Sequence, residues 1–277
     1  MEIEDITIVI ATFKSENKIY TCLDSLPRTT RILVIENSNN HKFKEEINRK
    51  YSNVECILLG ENKGYSIANN TGLQKVITKY ALVLNPDTKL EKDSLKNFLK
   101  AAENFPGFWL IGPGNQDNNL INSKYKEISE VENIKGFGMF FNMEKFKKDF
   151  FDENYFLYFE EIDLCKKINL KKGKIYLDPN IKIFHEGGSS VNNYFSDELE
   201  KNRNWHWMWS TFYFHKKYNG YPTALLIIFP KLISATIKTI FYFLILNKKK
   251  KDIYFNRLSG IINSILRKKS WRRPTMD

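Results

Sequence analysis

Cysteine is scarce in this chain of 277 residues: Cys22, Cys56 and Cys165 are the full set. An odd number without the paired spacing of metal ligands excludes a disulfide framework and a zinc finger, and it implies a reducing compartment. No Gly-x-Gly-x-x-Gly follows the first apolar run, and no Gly-Lys-Ser/Thr occurs anywhere. The dinucleotide fingerprint and the P-loop are therefore missing, and NAD-dependent and ATP-hydrolysing functions fall with them. The opening Met1-Glu2-Ile3-Glu4-Asp5 has no basic or apolar leader, so the expectation is a cytoplasmic protein without a signal peptide. Acids are nearly absent from the last part of the chain. Residues 201 to 277 hold 16 Lys and Arg against Asp252 and Asp277, whereas the first 200 hold 27 basic against 30 acidic residues. The net charge of +11 thus belongs to the tail, and it points to an anionic partner there.

What is present is a regular alternation. Ile6 to Phe13, Arg31 to Asn37, Val54 to Leu59 and Tyr80 to Leu84 read as strands, and polar-apolar periodic stretches between them read as helices. The order βαβαβαβ predicts a doubly wound, mostly parallel α/β sheet with helices on both faces. Strands of such a sheet offer their carboxyl ends to a ligand, and here those ends carry Thr12, Glu36 and Asp87. Pro86 cannot donate to a ladder, so the sheet must stop before Asp87. Asp87 is then either a site carboxylate or the cap of the helix-like run from Asp93 to Ala102. Between the third and fourth strands, Asn62-Lys63-Gly64-Tyr65 and Asn69-Asn70 supply amides and a glycine that lets backbone approach a ligand. A plain helix start is the alternative reading there.

In this order, Thr7-Ile-Val-Ile-Ala-Thr-Phe13, Val34-Ile-Glu-Asn-Ser38, Asn62-Lys-Gly-Tyr65 with Asn69, and Leu84-Asn-Pro-Asp-Thr88 resemble the family-2 glycosyltransferases of the GT-A fold. Their rhamnosyltransferase-like bacterial branch is the nearest in style. The resemblance implies that Thr12, Glu36, Asn62, Gly64, Asn69 and Asn85 bind the nucleotide or donor. It also implies that Asp87 stands at the metal position of the Asp-x-Asp motif. Glu36 replaces the commoner aspartate, and Asn85 replaces the first carboxylate of Asp-x-Asp.

In the second half, Lys135-Gly136-Phe137-Gly138 opens an apolar strand, and Phe150-Phe-Asp-Glu to Tyr158-Phe159-Glu160-Glu161-Ile-Asp163-Leu-Cys165 sets three acids behind a run of aromatics. Aromatic surroundings and neighbouring acids both raise a carboxyl pKa, which suits a general base. Asp163 and Lys167, at i and i+4, read as an ion pair on a surface helix. The resemblance extends over this block and implies Glu161 as the base, again glutamate where the family has aspartate, with Glu160 as the alternative. It implies that Gly136 begins the acceptor side, that His185 joins Asp87 at the metal, and that Gly188 and Ser190 complete His-x-x-Gly-x-Ser. Gly187 to Ser196 is then a lid with a glycine hinge. Read without the resemblance, His185 is a structural or exposed histidine.

Trp205, Met208, Trp209, Phe212 and Tyr213 fall on one helical stripe and predict a core-packing helix rather than a nucleic-acid platform. Residues 224 to 269 combine wide apolar arcs with Lys231, Lys238 and the run Lys248 to Lys251. This is the pattern of a helix lying in an anionic membrane surface, and a helical hairpin or a homodimer interface is the alternative. Nucleic acid is not expected, since the basic residues alternate with long aliphatic runs.

Taken together these readings predict a GT-A catalytic domain over 1–215, with a donor half of 1–112 and an acceptor half of 134–215. A basic, amphipathic, helical membrane-associating region of 216–277 follows. The expected activity is inverting transfer of a sugar from a dTDP- or UDP-linked donor to a glycan hydroxyl, dependent on Mn2+ or Mg2+. The expected acceptor is lipid-linked, as in bacterial surface polysaccharide assembly on the inner face of the cytoplasmic membrane. Two alternatives stand beside it. A sugar nucleotidyltransferase normally carries a glycine-rich basic loop after its first strand, which Ala11-Thr-Phe-Lys-Ser15 is not. A catalytically degenerate membrane scaffold is the other.

Overall fold

The computed structural model describes residues 2–114, 126–186 and 196–274. The chain runs β1 (Ile6–Thr12), α1 (Glu16–Asp24), β2 (Arg31–Glu36), α2 (His41–Lys50), β3 (Val54–Leu58), α3 (Tyr65–Leu73), β4 (Tyr80–Leu84) and β5 (Thr88–Leu90). It continues through α4 (Ser94–Asn104), β6 (Phe108–Pro113), β7 (Ser129–Glu130), β8 (Gly138–Asn142), α5 (Glu160–Leu170), β9 (Lys174–Asp178) and β10 (Ile183–His185). Three helices close it: α6 (Ser196–Asn219), α7 (Tyr221–Leu244) and α8 (Lys248–Ile265).

Eight strands form one sheet in the order β3-β2-β1-β4-β8-β6-β9-β7. The first four are parallel, β8 runs antiparallel to both β4 and β6, and β9 is parallel to β6. Successive side chains of the central strands alternate between two faces, and both faces are buried. Ile6, Ile8, Ile10, Ile32, Val34, Leu82 and Leu84 pack into one cluster with residues of α1, α2 and α4, and Val9, Leu33, Ile35, Ala81 and Val83 pack into another with α3 and α5. A sheet covered on both faces has no polar side, which is why its strands read as unbroken apolar runs. Helix α3 lies unusually close. A Cβ on Gly72 would sit 2.4 Å from Val9 Cγ1, so only glycine allows this approach.

The described residues form two compact units, Met1–Phe151 with Glu161–Asn192, and Asp152–Glu160 with Asn193–Asp277. The first holds the sheets and α1 to α5. The second holds α6, α7 and α8, so the sequence-based boundary at 215 falls within α6. The aromatic stripe of α6 is core, as expected: Trp205, Met208, Trp209 and Phe212 are buried. Trp205 donates from its indole to Ser259 Oγ at 3.1 Å, and Ser264 donates to the Trp209 carbonyl at 2.9 Å. Gly260 brings α8 against α6, where a Cβ would be 2.3 Å from the Trp205 carbonyl oxygen.

The basic stretch 257–269 therefore has a packed side: Gly260, Ile261 and Ser264 are buried. Helix α7 buries Ala224, Ile228 and Ala235 and leaves Leu226, Ile233, Ile237 and Leu244 exposed. It is long and apolar enough to cross a membrane by length and composition, with a mean hydropathy of 1.8 over a window only 17% buried.

His206 locks the end of the chain onto α6. Ser270 Oγ lies 3.0 Å from its Nδ1, the Arg272 carbonyl 2.9 Å from its Nε2, and the Phe156 ring stacks on it. Burial pushes the imidazole pKa down to about 3, so the unfolded chain takes up a proton that the folded chain refuses. Stability must be complete above the ordinary histidine pKa and must fall as the pH drops below it. Acidification to pH 5 is expected to cost about 2 kcal/mol through this group. Denaturant titrations at pH 7 and pH 5 should show that loss, and His206→Phe should remove that part of it.

Candidate active site

The parallel strands bring three of the expected residues to one edge. Thr12 pairs with Glu36, and Ile10 pairs with Leu84, so Thr12 is level with the Asn85-Pro86-Asp87 turn that follows β4. That turn is closed by Thr88, whose amide and hydroxyl donate to the Asn85 carbonyl at 3.3 and 2.7 Å. Asp87 does not cap a helix. The short strand β5 comes next, and α4 starts later with Asp93 at its N-cap.

Strand β5 pairs antiparallel with β10, setting His185 opposite Thr88. This small sheet, which period and propensity alone do not announce, places His185 Nε2 3.4 Å from Asp87 Oδ1 and 3.4 Å from Asn85 Nδ2. The Asp87 side chain is fully buried and that of His185 is 20% exposed. The imidazole stacks on Phe137, with centroids 4.6 Å apart and planes 11° apart. A carboxylate and an imidazole at this separation are a donor set that suits a divalent cation such as Mn2+. Among the described residues no cluster of three or more His, Cys, Asp or Glu stands ready to hold a metal. Two protein donors would leave coordination positions for phosphate oxygens and water.

The run 135–138 joins this pair to the acids of α5. The Phe137 carbonyl accepts from the Asn85 amide at 3.1 Å, and the Gly136 carbonyl accepts from Tyr65 OH at 2.7 Å. A Cβ on Gly136 would lie 3.6 Å from Glu161 Cβ and 3.5 Å from Tyr65 OH. Glu161 is partly buried, and Glu160 is 6% exposed. Burial raises the Glu161 pKa above its ordinary value, while the amides of Glu161 and Ile162 and the Lys135 ammonium oppose the rise.

The backbone that delivers these acids is unusual. Tyr158 and Phe159 adopt φ of 68° and 71°, a left-handed pair of bulky residues costing roughly 1–3 kcal/mol each. Asp163 corrects an expectation: it is fully buried. Lys167 instead reaches Asp149 at 2.7 Å and the Phe150 carbonyl at 2.8 Å, because α5 turns the Asp163 position toward the protein interior.

Among the residues expected at the nucleotide, Glu36 is buried and accepts from the Ser38 amide and hydroxyl at 3.0 and 2.8 Å and from the Asn40 amide at 3.4 Å. Burial nevertheless raises its pKa above the usual value. Asn37, which was not among the expected site residues, ties two loops together: it donates to the Gly64 carbonyl at 3.1 Å and accepts from the Lys63 amide at 2.8 Å. Asn62 accepts from the Gly64 amide at 3.1 Å. Asn69 is fully buried, and its amide donates back to the Tyr65 carbonyl at 3.0 Å. Asn70 exchanges two bonds with the Phe151 backbone, at 2.9 and 3.0 Å, clamping α3 to the segment before the acid pair. Paired Asn-Asn at a helix start was the only sequence signal for it. Gly188 and Ser190 lie outside the described residues, as does the segment read as a lid up to position 195.

The sequence matches the family model described as "Glycosyl transferase family 2" over residues 7–165. A low-salt glycan biosynthesis hexosyltransferase of Haloferax volcanii is 23% identical over 190 residues, or 59% of this chain and 61% of that protein. A teichoic acid poly(glycerol phosphate) polymerase of Staphylococcus epidermidis is 29% identical over 116 residues, 39% of this chain and 16% of that protein. The chain thus spans about three fifths of the first relative and a small part of the second. Among solved structures, a mannosyltransferase of Pyrobaculum calidifontis in complex with GDP-Man and Mn2+ superposes with a TM-score of 0.61 at 14% identity, covering 96% of this chain and 88% of that one. S. aureus TarS superposes with a TM-score of 0.55 at 13% identity over 93% and 90% of the two chains. At these identities the structural matches establish the GT-A fold.

The Gly64 backbone, φ 88° and ψ 176°, lies in a region open essentially to glycine alone. Gly64→Ala is expected to lower unfolding free energy by about 1–3 kcal/mol, measured by denaturant titration.

Proposed function

Because the chain belongs to glycosyl transferase family 2, we propose that it moves one sugar, with inversion, from a nucleoside diphosphate sugar to a hydroxyl group of a glycan. The observation that carries this reading is the continuous set Asp87–His185–Phe137–Gly136–Glu161, in which a cation-binding pair and a carboxylate of raised pKa share one short run of backbone. Glutamate at 161 keeps a carboxylate where the family has aspartate, which favours an enzyme over a degenerate scaffold.

In this proposal the nucleoside lies over the strand ends at Thr12 and Glu36, with the Asn62–Gly64 loop, organised by Asn37, beside it. Asp87 and His185 would hold a divalent cation, Mn2+ or Mg2+, which supplies charge stabilisation for the departing diphosphate. Mn2+ is present in two of the structural neighbours, the mannosyltransferase and a GalNAc transferase bound to UDP. Glu161 takes the proton from the acceptor hydroxyl as that oxygen attacks the anomeric carbon from the face opposite the leaving group. Its pKa, raised by burial, makes it a better proton acceptor than an ordinary carboxylate. Tyr65 fixes the Gly136 carbonyl, so the absence of a side chain at 136 leaves room beside Glu161 for the acceptor. Glu160, one position earlier on the same helix turn, is the second carboxylate able to serve. The exposed apolar stripe of α7 and the basic start of α8 support a lipid-linked acceptor at an anionic membrane surface.

Two measurements test the reading. Glu161→Gln should lower kcat by about 100-fold or more with nucleotide affinity unchanged, and it should abolish the acid limb of the pH–rate profile, which lies above the ordinary carboxylate range. Full activity in that variant would transfer the role to Glu160. Asp87→Ala should abolish the Mn2+-dependent part of UDP or dTDP affinity, read by calorimetry with and without the cation.

A further inference from the structure

Within the helical unit, a cavity of about 310 Å³ is lined by Trp207 of α6, Lys231 and Ser234 of α7, and Tyr254 and Arg257 of α8. Two cations face one small space. Among the described residues neither Lys231 nor Arg257 has a carboxylate within salt-bridge distance. Arg257 is held in place, since its Nε donates to Asn204 Oδ1 at 2.6 Å and its guanidinium lies 5.2 Å from the Tyr254 ring centre. Lys238 Nζ lies 5.0 Å from the centre of the same Tyr254 ring, and Tyr242 stacks on Tyr254 at 5.5 Å. The terminal nitrogens of Arg257 and the Lys231 ammonium remain to meet an anion. A fixed guanidinium fork, a mobile ammonium and the Ser234 hydroxyl together match the three oxygens of a phosphate monoester.

The position of the cavity on α7 says where that phosphate comes from. Lys231, Ser234 and Lys238 recur at three- and four-residue spacing and form one stripe. On one side of this stripe lie Ala224, Ile228 and Ala235, buried against the unit, and on the other the exposed Leu226, Ile233, Ile237 and Leu244. A helix whose exposed apolar stripe enters the acyl region carries its bordering lysines at the level of the head groups. We propose that the cavity of Trp207, Lys231, Ser234, Tyr254 and Arg257 is a binding site for the dianionic phosphate monoester head group of a membrane lipid. The proposal rests on the reading that this unit lies against a membrane, and it adds a lipid-selective site to what would otherwise be attraction between diffuse charges.

The test is co-sedimentation of the full chain with vesicles of phosphatidylcholine alone, with added phosphatidic acid, or with added phosphatidylglycerol at matched surface charge. The wild type should bind phosphatidic acid vesicles most tightly. Lys231→Gln, at an exposed position that leaves folding intact, and Arg257→Gln should each weaken that binding by about tenfold and leave phosphatidylglycerol binding nearly unchanged. Ile233→Asp with Ile237→Asp should weaken binding to both anionic vesicles, as a membrane-facing stripe requires. Equal binding of the wild type to both anionic vesicles would overturn the site and leave the membrane reading standing, as would equal losses on both in the Lys231 and Arg257 variants. Binding to no vesicle would overturn both. Calorimetric binding of inorganic phosphate, unaffected by vesicles, would overturn the lipid assignment in favour of a soluble ligand.

Discussion

The candidate active site depends on one reversal of direction in the sheet. Strands β1, β2 and β4 are parallel, so their carboxyl ends share an edge, and a further parallel strand would begin at the opposite one. Strand β8 runs antiparallel to β4, with Gly138 opposite Leu84. Its entry, residues 135 to 137, therefore arrives where β4 ends at Asn85. The apolar strand buried in the centre of the sheet thus sets Phe137 under His185 and Gly136 beside Glu161. Burial on both faces makes this register hard to shift, because a slip of one residue would exchange the two core clusters.

A second, smaller pairing brings together the two residues proposed to hold the cation. Asp87 and His185 are 98 positions apart in the chain, and only the antiparallel contact of β5 with β10 brings them together. Each is also held independently, Asp87 by the turn that Thr88 closes and His185 by its stacking on Phe137. Side chains fixed before a ligand arrives lose less freedom on binding, and this is the physical content of preorganisation. The left-handed backbone at Tyr158 and Phe159 is the opposite device, local strain accepted next to Glu160 and Glu161 where the chain must turn sharply into α5.

The helical unit solves a different problem. Helices α6 and α8 meet at close range through Gly260 and the Trp205 backbone, and Trp205, Trp209 and Phe212 are buried. Helix α7, in contrast, leaves a row of large apolar side chains in water. That row, with the unneutralised cations beside it, is unexplained by folding within the unit and is consistent with a surface kept for a bilayer.

Period, composition and turn chemistry determined the alternating parallel sheet, the order of its strands up to Leu84, the carboxylates at their ends and the core role of the Trp205–Tyr213 stripe. These are local signals, because a strand covered on both faces and a helix covered on one write their burial directly into residue spacing. The resemblance in the Phe150–Cys165 block marks the acid pair from sequence alone. Tertiary structure alone decided that Asp87 precedes a strand and not a helix, that Asp163 is buried while Lys167 turns to Asp149, and that Asn37 and Asn70 are the clamps of the site. It alone decided that α6 belongs with α7 and α8. Each of these depends on a partner dozens of residues away, and a contact between distant segments leaves no periodic mark on either of them.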